Sequence, residues 1–270
     1  MTVASWGKTE FLWCEHTSAL VHFHFDSFEY TNIGESPPFL LSLQQSRTHI
    51  RSLNSNDPHS KSINRKTLPK KCNLRFTVDN KNIALLIVDM INAFVEKGAV
   101  SEIPKARDII PNVRLLIDSC HKLSIPVVYA NHAFRKDGLD AGLMFDFFPE
   151  LRAGDLNDGS RGTEVYPDLT PTAQDIIVKK SRYSAFYNTD LDTILRKMKK
   201  DTIIISGTVT EVCCESTARD GFFRDYKVLF PSDANASASE FLHQASLQTI
   251  EKDFGEVLTT NEILQMLRAA

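Results

Sequence analysis

Long apolar runs are missing from the sequence, and none approaches the roughly 18 residues that a membrane-spanning helix needs. The amino terminus has no basic segment followed by an apolar one, and Glu10 and Glu15 stand where a secretory signal would be apolar. An excess of positive charge is also absent, because 31 Lys and Arg residues are set against 34 Asp and Glu residues. We therefore expect no membrane partner and no nucleic-acid partner.

Cysteine is scarce and forms no recognisable framework. The five cysteines are odd in number and are never spaced as a Cys-x-x-Cys pair. Secreted domains that depend on disulfides carry dense, even-numbered sets of cysteines, so the sequence does not indicate a disulfide scaffold. We therefore predict a cytoplasmic protein with reduced thiols.

Residues 1–75 show no sustained apolar period, and we interpret them as a partly disordered N-terminal extension ahead of a folded domain at residues 76–270. Within the extension, residues 21–25 alternate briefly between apolar residues and histidine, which predicts one strand. Residues 44–71 are rich in Ser, Asn, Lys and Arg, as linkers are. The basic residues at 65–66 and 70–71 are interpreted as a solvated tail, with a nucleic-acid or targeting patch as the alternative.

From residue 76 onward, apolar runs of strand length alternate with stretches of helical period. Predicted strands cover residues 83–88, 125–130, 176–178, 202–205, 228–230 and 256–258. Predicted helices cover residues 107–123, 191–198, 211–226, 241–250 and a segment from 261. Strands that are apolar throughout and alternate with helices predict an α/β fold with a central parallel sheet. Gly207 is expected to end its strand, and residues 131–163 are expected to form a loop-rich region that serves as a lid or as a substrate-binding segment.

Three chemically useful side chains close or follow separate predicted strands: Asp89, Lys180 and Cys213. They are expected to converge, because the carboxyl ends of parallel strands share one edge of the sheet. Cys213 would act as nucleophile and Asp89 as general base and acid, while Lys180 would keep Asp89 ionised and lower the thiol pKa. The turn at residues 209–213 would offer backbone N–H groups to an oxyanion. Such a site transfers an acyl group from an amide.

Each of these residues also has a purely structural explanation. Cys213 and its neighbour Cys214 are small apolar residues of a kind usually buried without function, and Asp89 could cap a turn. A place in the first turn of a helix favours the thiolate form of Cys213. Glu211, two residues earlier, has the opposite effect, since a nearby carboxylate raises a thiol pKa.

Three blocks of the sequence resemble the isochorismatase-like family of cysteine hydrolases: ALLIVDMINAF around Asp89, KSRYSAFYNTDLDTIL from Lys180, and GTVTEVCCESTARDGFFRDYKV around Cys213. The resemblance implies a three-layer, Rossmann-like fold with a central parallel sheet of about six strands flanked by helices. It implies that these three residues form a catalytic triad. It also favours Lys180 over Lys179 as the lysine of that triad.

The same resemblance implies further site residues. A non-proline cis peptide between Val209 and Thr210 would direct N–H groups toward the oxyanion. Relatives are often dimers or tetramers, so a homo-oligomer is implied as well. The implied substrate-binding residues, for which a packed loop is the alternative, are Asn92, Phe94, Tyr183, Ser184 and Phe186.

The resemblance also separates branches of the family. Members that hydrolyse isochorismate lack the cysteine, so Cys213 is typical of an amidohydrolase. Nicotinamidases carry an Asp-x-His metal site where this chain has Asn131-His132-Ala133, so we expect no metal and no other cofactor. The second and third blocks are similar to ureidoacrylate and N-carbamoylsarcosine amidohydrolases. The predicted function is hydrolysis of a C–N bond in a small ureido or carbamoyl compound, and the alternatives are a nicotinamidase-like amidase and a catalytically silent binding subunit.

Overall fold

The computed structural model describes residues 2–6, 9–14, 19–24, 27–32 and 74–269, in a chain that divides into two compact units, Met1–Thr67 and Leu68–Ala270. The strand expected at residues 21–25 overlaps the third strand of the first unit. The predicted linker at 44–71, with its basic residues, lies outside the described residues. The first unit contains an antiparallel meander in chain order: β1 (Thr2–Trp6), β2 (Thr9–Cys14), β3 (Ala19–His24) and β4 (Ser27–Asn32).

The second unit is built on one parallel sheet. Its strands are β5 (Ile83–Val88), β6 (Val127–His132), β7 (Ile176–Lys180), β8 (Thr202–Thr208), β9 (Lys227–Pro231), β10 (Asn235–Ala236) and β11 (Glu256–Leu258). Their order is β11-β9-β8-β5-β6-β7, with β10 paired to β8. Every pairing in this sheet is parallel, which confirms the predicted α/β fold.

Helices cover both faces of the sheet. They are α1 (Asn92–Val95), α2 (Ile110–Lys122), α3 (Met144–Phe147), α4 (Leu191–Lys197), α5 (Glu215–Phe222), α6 (Glu240–Asp253) and α7 (Thr260–Ala269). Strand β5 shows how the two faces divide, because its side chains alternate between two apolar clusters. Leu85 packs on the face that carries α2 and α7, whereas Leu86 packs on the face that carries α4, α5 and α6.

Strand β8 continues through Gly207, so the expectation that this glycine ends the strand is wrong. Gly207 has a φ of +137°, and a Cβ at this position would lie 2.0 Å from the carbonyl oxygen of Val88. The residue pairs with Val88 on one side and with Asn235 on the other. Glycine is therefore required here by a close approach of two backbones inside the sheet, not by a turn.

The helix predicted over residues 211–226 is also corrected. A π-helical turn, Thr210–Cys214, comes first, and α5 begins only at Glu215 and ends at Phe222. The carbonyl of Val209 accepts hydrogen bonds from the N–H groups of Val212 and Cys214, each at 3.1 Å. Cys213 therefore lies in a tight turn between β8 and α5, where the helical period of the sequence already begins although the α-helix has not.

Residues 131–163 fold as a packed segment with little regular structure. Beyond the end of β6 the segment contains α3 and two short 3₁₀ turns. Its core includes Phe134, Leu151 and Leu156, which cluster with Ile91 from the loop after β5. The segment is thereby held against the carboxyl end of β5. Among the residues that the structure describes, no helix combines the length and apolar character needed to cross a bilayer.

Candidate active site

Asp89 follows β5 at the carboxyl edge of the sheet, with a positive φ of 53° and a side chain that is almost fully buried. One carboxylate oxygen, Oδ1, accepts a hydrogen bond from the backbone N–H of His132 at 2.7 Å. The other, Oδ2, accepts one from the Nζ of Lys180 at 2.6 Å. Both oxygens are therefore held by the ends of neighbouring strands.

The two lysines at the end of β7 point in opposite directions, as successive residues of a strand do. The Nζ of Lys179 is exposed and donates to Asp158 at 2.6 Å. Lys180 points inward with a fully buried side chain, and its Nζ also donates to the carbonyl oxygen of Arg182 at 3.2 Å. Burial is the largest single effect and lowers the pKa of Lys180, but the Asp89 carboxylate and the Cys213 sulfur together outweigh burial and raise this pKa.

Cys213 completes the group from the π-helical turn after β8. Its side chain is 5% exposed, and its carbonyl oxygen accepts a hydrogen bond from the Oγ1 of Thr217 at 2.7 Å. The Oγ1 of Thr208 donates to the carbonyl oxygen of Asp89 at 3.1 Å, which ties the end of β8 to the residue after β5. The structure thus brings Asp89, Lys180 and Cys213 together at one edge of the sheet.

The thiol of Cys213 lies among charged and polar groups. Its sulfur, a carboxylate oxygen of Asp89 and a ring nitrogen of His132 all lie within 4.8 Å of one another. Burial raises the pKa of the Cys213 thiol to about 12; the Lys180 ammonium opposes this rise and the Asp89 carboxylate adds to it. The expected effect of Lys180 is present, since its ammonium lowers the thiol pKa, but desolvation outweighs the cation and the net pKa is raised. Cys213 rests as a thiol and needs a base.

The adjacent thiol of Cys214 is less suited to react. It is fully buried in the apolar cluster beneath the sheet, whereas Cys213 reaches a cavity. Burial raises the pKa of Cys214 well above its ordinary value, and the Glu211 carboxylate contributes in the same direction. Glu211 itself accepts a hydrogen bond from the Oγ of Ser237 at 2.8 Å. Glu211 was expected to raise the pKa of Cys213, but it raises the pKa of Cys214 instead.

The turn before Cys213 contains a cis peptide bond, one residue earlier than expected. It joins Thr208 to Val209, and not Val209 to Thr210. The difference follows from the strand, since β8 extends past Gly207 to Thr208 and the turn begins at Val209. The backbone N–H of Val209 faces the Cys213 sulfur, where it favours negative charge.

A cavity of about 360 Å³ opens beside Cys213 and Asp89. Of the residues expected to bind substrate, Phe94 and Tyr183 lie in its wall. The other three lie outside that wall: the Nδ2 of Asn92 donates to the carbonyl of Arg161 at 3.0 Å, the Oγ of Ser184 donates to Asp220 at 2.6 Å, and Phe186 stacks on Tyr226.

His132 is a wall residue that the sequence did not predict. It is 1% exposed, and its Nε2 has no hydrogen-bond partner among the residues that the structure describes. Burial together with the positive charge of Lys180 and Arg182 lowers its pKa well below the ordinary value. The imidazole is thus neutral and available to a ligand. The only sign in the sequence is its position near the end of a buried strand, which does not reveal where the ring points.

The group of Asp89, His132 and Cys213 is also the one set of possible metal ligands found among the described residues. It does not fit a resident metal ion, because both oxygens of the carboxylate already accept hydrogen bonds and one of them pairs with a buried ammonium. A divalent cation at this place would displace Lys180 from its only carboxylate partner or lie against its charge.

Fold and site together define an α/β protein that concentrates its chemistry at the carboxyl ends of parallel strands, with a thiol, a carboxylate and an ammonium in contact. Residues 83–262 match the isochorismatase domain. The chain belongs to the isochorismatase family of hydrolases, as its sequence blocks predicted.

Curated relatives include two different activities. The chain is 32% identical over 200 residues to the ureidoacrylate amidohydrolase RutB of Acinetobacter baylyi, covering 67% of this chain and 82% of the relative. It is also 32% identical over 192 residues to nicotinamidase 3 of Arabidopsis thaliana, covering 70% of this chain and 90% of the relative.

Solved structures show the same architecture. A cysteine hydrolase from Pseudomonas syringae is 38% identical with a TM-score of 0.69, covering 73% of this chain and 97% of that one. N-carbamoylsarcosine amidase from Thermoplasma acidophilum is 28% identical with a TM-score of 0.57, covering 67% of this chain and 97% of that one.

Proposed function

We propose that the protein is an amidohydrolase that cleaves a C–N bond of a small ureido, carbamoyl or amide compound through a thioester on Cys213. One observation carries the proposal: a thiol that borders a cavity faces a buried Asp89–Lys180 pair whose N–O distance is 2.6 Å. A charged pair with 0% and 1% exposed side chains costs free energy to bury. Such a pair next to a nucleophile is typical of a functional site.

In the first half of the reaction the substrate carbonyl carbon meets the sulfur of Cys213. Asp89 takes the thiol proton as the S–C bond forms, and the Lys180 ammonium keeps the carboxylate ionised until then. The negative charge on the carbonyl oxygen is stabilised by N–H groups of the turn at Val209 and Thr210. Asp89 then returns the proton to the leaving nitrogen, the C–N bond breaks, and ammonia or an amine departs.

In the second half a water molecule replaces the sulfur. Asp89 accepts a proton from water, the hydroxide attacks the thioester carbonyl, and the thiolate leaves and regains the proton. A carbamic acid formed in this way breaks down to carbon dioxide and an amine. The neutral imidazole of His132, whose Nε2 has no partner in the described part of the chain, supplies a hydrogen bond to the polar head of the substrate.

The test is ammonia release from ureidoacrylate, N-carbamoylsarcosine, biuret and nicotinamide by the wild-type protein and by Cys213→Ser. Cys120→Ser is the matched control, since Cys120 is a buried cysteine of α2 far in sequence from the site. We expect turnover of a ureido or carbamoyl compound that Cys213→Ser loses and Cys120→Ser keeps. Turnover of nicotinamide alone would favour the second candidate, a nicotinamidase-like amidase, which the Arabidopsis relative supports. No turnover of any compound would favour a silent binding subunit.

We also propose that the protein is a cytoplasmic homo-oligomer, a dimer or a tetramer. Large apolar side chains beside the cavity are exposed, including Phe147 at 75% and Leu143 at 71%. Exposed apolar groups of this kind are typical of contact surfaces. Light scattering of the full-length chain in solution checks the proposal, and a monomer at micromolar concentration would contradict it.

A further inference from the structure

The cavity beside Cys213 has acidic side chains in its wall and, within the part of the chain that the structure describes, no lysine or arginine. Besides Asp89, the acidic groups are Glu102 and Glu150. Glu150 lies in the exposed 3₁₀ turn Pro149–Ala153. A ligand in this cavity therefore meets negative charge and no direct cationic partner.

Three cations on segments that also contribute wall residues, or that directly adjoin them, are already engaged. Lys180 pairs with Asp89 at 2.6 Å behind the wall. Arg107 pairs with Glu102 at 2.6 Å and donates to the carbonyl of Val95 at 2.7 Å. None of these groups can turn to a ligand anion without leaving a carboxylate unpaired.

A third guanidinium is engaged with the backbone. Arg182 donates through Nη1 to the carbonyl oxygens of Asp140 and Ser181, the second at 2.6 Å. Like the other two cations it is not part of the cavity wall.

Most of the remaining wall is apolar. It includes Phe94, Met144, Phe148, Leu151 and Leu156. A carboxylate placed among such side chains loses its hydration without gaining a counterion, and the exposed carboxylate of Glu150 repels it. A hydrocarbon group in the same place gains free energy from burial.

We propose that the substrate is an uncharged ureido compound with an apolar substituent, and that a carboxylate-bearing compound such as ureidoacrylate is disfavoured. The inference rests on the proposed function and narrows the substrate to uncharged ureido compounds. The Acinetobacter relative, in contrast, is named for ureidoacrylate, which carries a carboxylate. The ureido head meets Cys213 and His132, and the apolar substituent lies against the Phe and Leu side chains of the wall.

The test compares isosteres that differ in charge, with the full-length wild-type protein. The pair is 3-methylbutylurea, which is neutral, and 3-ureidopropanoate, which has a carboxylate in place of the terminal isopropyl group. We expect kcat/KM for ammonia release to be at least about tenfold higher for the neutral compound at low ionic strength. We also expect added salt to raise kcat/KM for the anion, because salt screens the repulsion.

Reversal of the charge at residue 150 tests whether Glu150 causes the discrimination against the anionic compound. Glu150→Arg should raise the ratio of kcat/KM for the anion to that for the neutral compound by about three- to tenfold, because an exposed charge acts through partly screened solvent. Asp168→Arg, an exposed acidic residue outside the cavity wall, is the matched control and should leave the ratio unchanged.

The outcomes separate this inference from the proposed function. Equal or better turnover of 3-ureidopropanoate by the wild-type protein overturns the inference and leaves the amidohydrolase function intact. If neither ureido compound is hydrolysed, 4-methylpentanamide and succinamate repeat the charge comparison on simple amides. A preference for succinamate likewise overturns the charge argument. If none of these four compounds and none of the four compounds of the first panel is hydrolysed, both proposals are overturned.

Discussion

Replacing Lys180 by methionine should destabilise the second unit strongly, because it leaves the buried Asp89 carboxylate without its cation. The two side chains are 0% and 1% exposed and their N–O distance is 2.6 Å, so the carboxylate stays largely desolvated after its cation is lost. Removal of one member of a buried pair costs about 3–5 kcal/mol. In a unit of this size each kcal/mol lowers Tm by about 2–4 °C, which predicts a fall of about 6–20 °C.

The neighbouring lysine provides the control. Lys179 precedes Lys180 on β7, but its pair with Asp158 is exposed, with side-chain exposures of 60% and 46%. Lys179→Met should therefore change the free energy of unfolding by less than about 1 kcal/mol. Urea unfolding followed by far-UV circular dichroism measures both variants.

A double-mutant cycle then tests the reasoning itself. Asp89→Asn alone leaves a buried ammonium unpaired, whereas Asp89→Asn with Lys180→Met removes both charges. The loss of unfolding free energy in the double variant should be smaller than the sum of the losses in the two single variants by at least about 2 kcal/mol. Strictly additive costs, or a Lys180→Met variant as stable as Lys179→Met, would refute the account of this pair.

Three further predictions concern the nucleophile, the sheet and the pH dependence of stability. Alkylation of Cys213 by iodoacetamide should still accelerate above pH 9, since burial raises its pKa to about 12 and only the thiolate reacts. Gly207→Ala should lower the free energy of unfolding by more than about 3 kcal/mol, because the new Cβ would lie 2.0 Å from the carbonyl oxygen of Val88. His132 is buried as a neutral ring with a lowered pKa, so the unfolded chain binds its proton first and stability falls as pH drops below about 6.5. His132→Gln should remove about 1 kcal/mol of the stability lost between pH 7.5 and pH 5.5.

Each of these predictions has a control within the chain. Peptide mass spectrometry separates alkylation of Cys213 from that of Cys120, and a rate that levels off by pH 8 would contradict the raised pKa. Gly159→Ala matches Gly207→Ala because Gly159 also has a positive φ, at +80°, but has no atom within 4 Å of an added Cβ. Equal losses of unfolding free energy in the two variants would show that the positive φ, and not the contact with Val88, determines the loss. Identical pH dependence in wild type and His132→Gln would refute the third prediction.

Local sequence patterns predict most of the sheet because its strands are buried on both faces. The apolar run of β5 matches the observed strand from Ile83 to Val88, and even the short β11 is predicted at residues 256–258. Convergence of Asp89 with Lys180 also follows from the sequence, since parallel strands end at one edge. The sequence pattern of β7 does not show whether Lys179 or Lys180 points toward the site. The family resemblance favours Lys180.

Features that depend on tertiary contacts were not predictable in the same way. The need for Gly207 comes from a carbonyl on another strand, and the raised pKa of Cys213 comes from the depth of its burial. His132 becomes a wall residue only because β6 ends beside β5. Each is a property of packing between segments distant in sequence, which periodicity within one segment does not contain.

The central claim is that Cys213 forms a covalent intermediate during C–N bond hydrolysis, and rapid quenching in acid followed by intact mass measurement tests it most directly. The protein is a Cys214→Ala variant, so that the peptide around residue 213 contains one thiol, and it is mixed with the best substrate of the ammonia assay. We predict a transient mass increase equal to the acyl or carbamoyl group, located at Cys213 and absent from Cys213→Ser. Full turnover by Cys213→Ser, or an adduct located at another residue, would contradict the account.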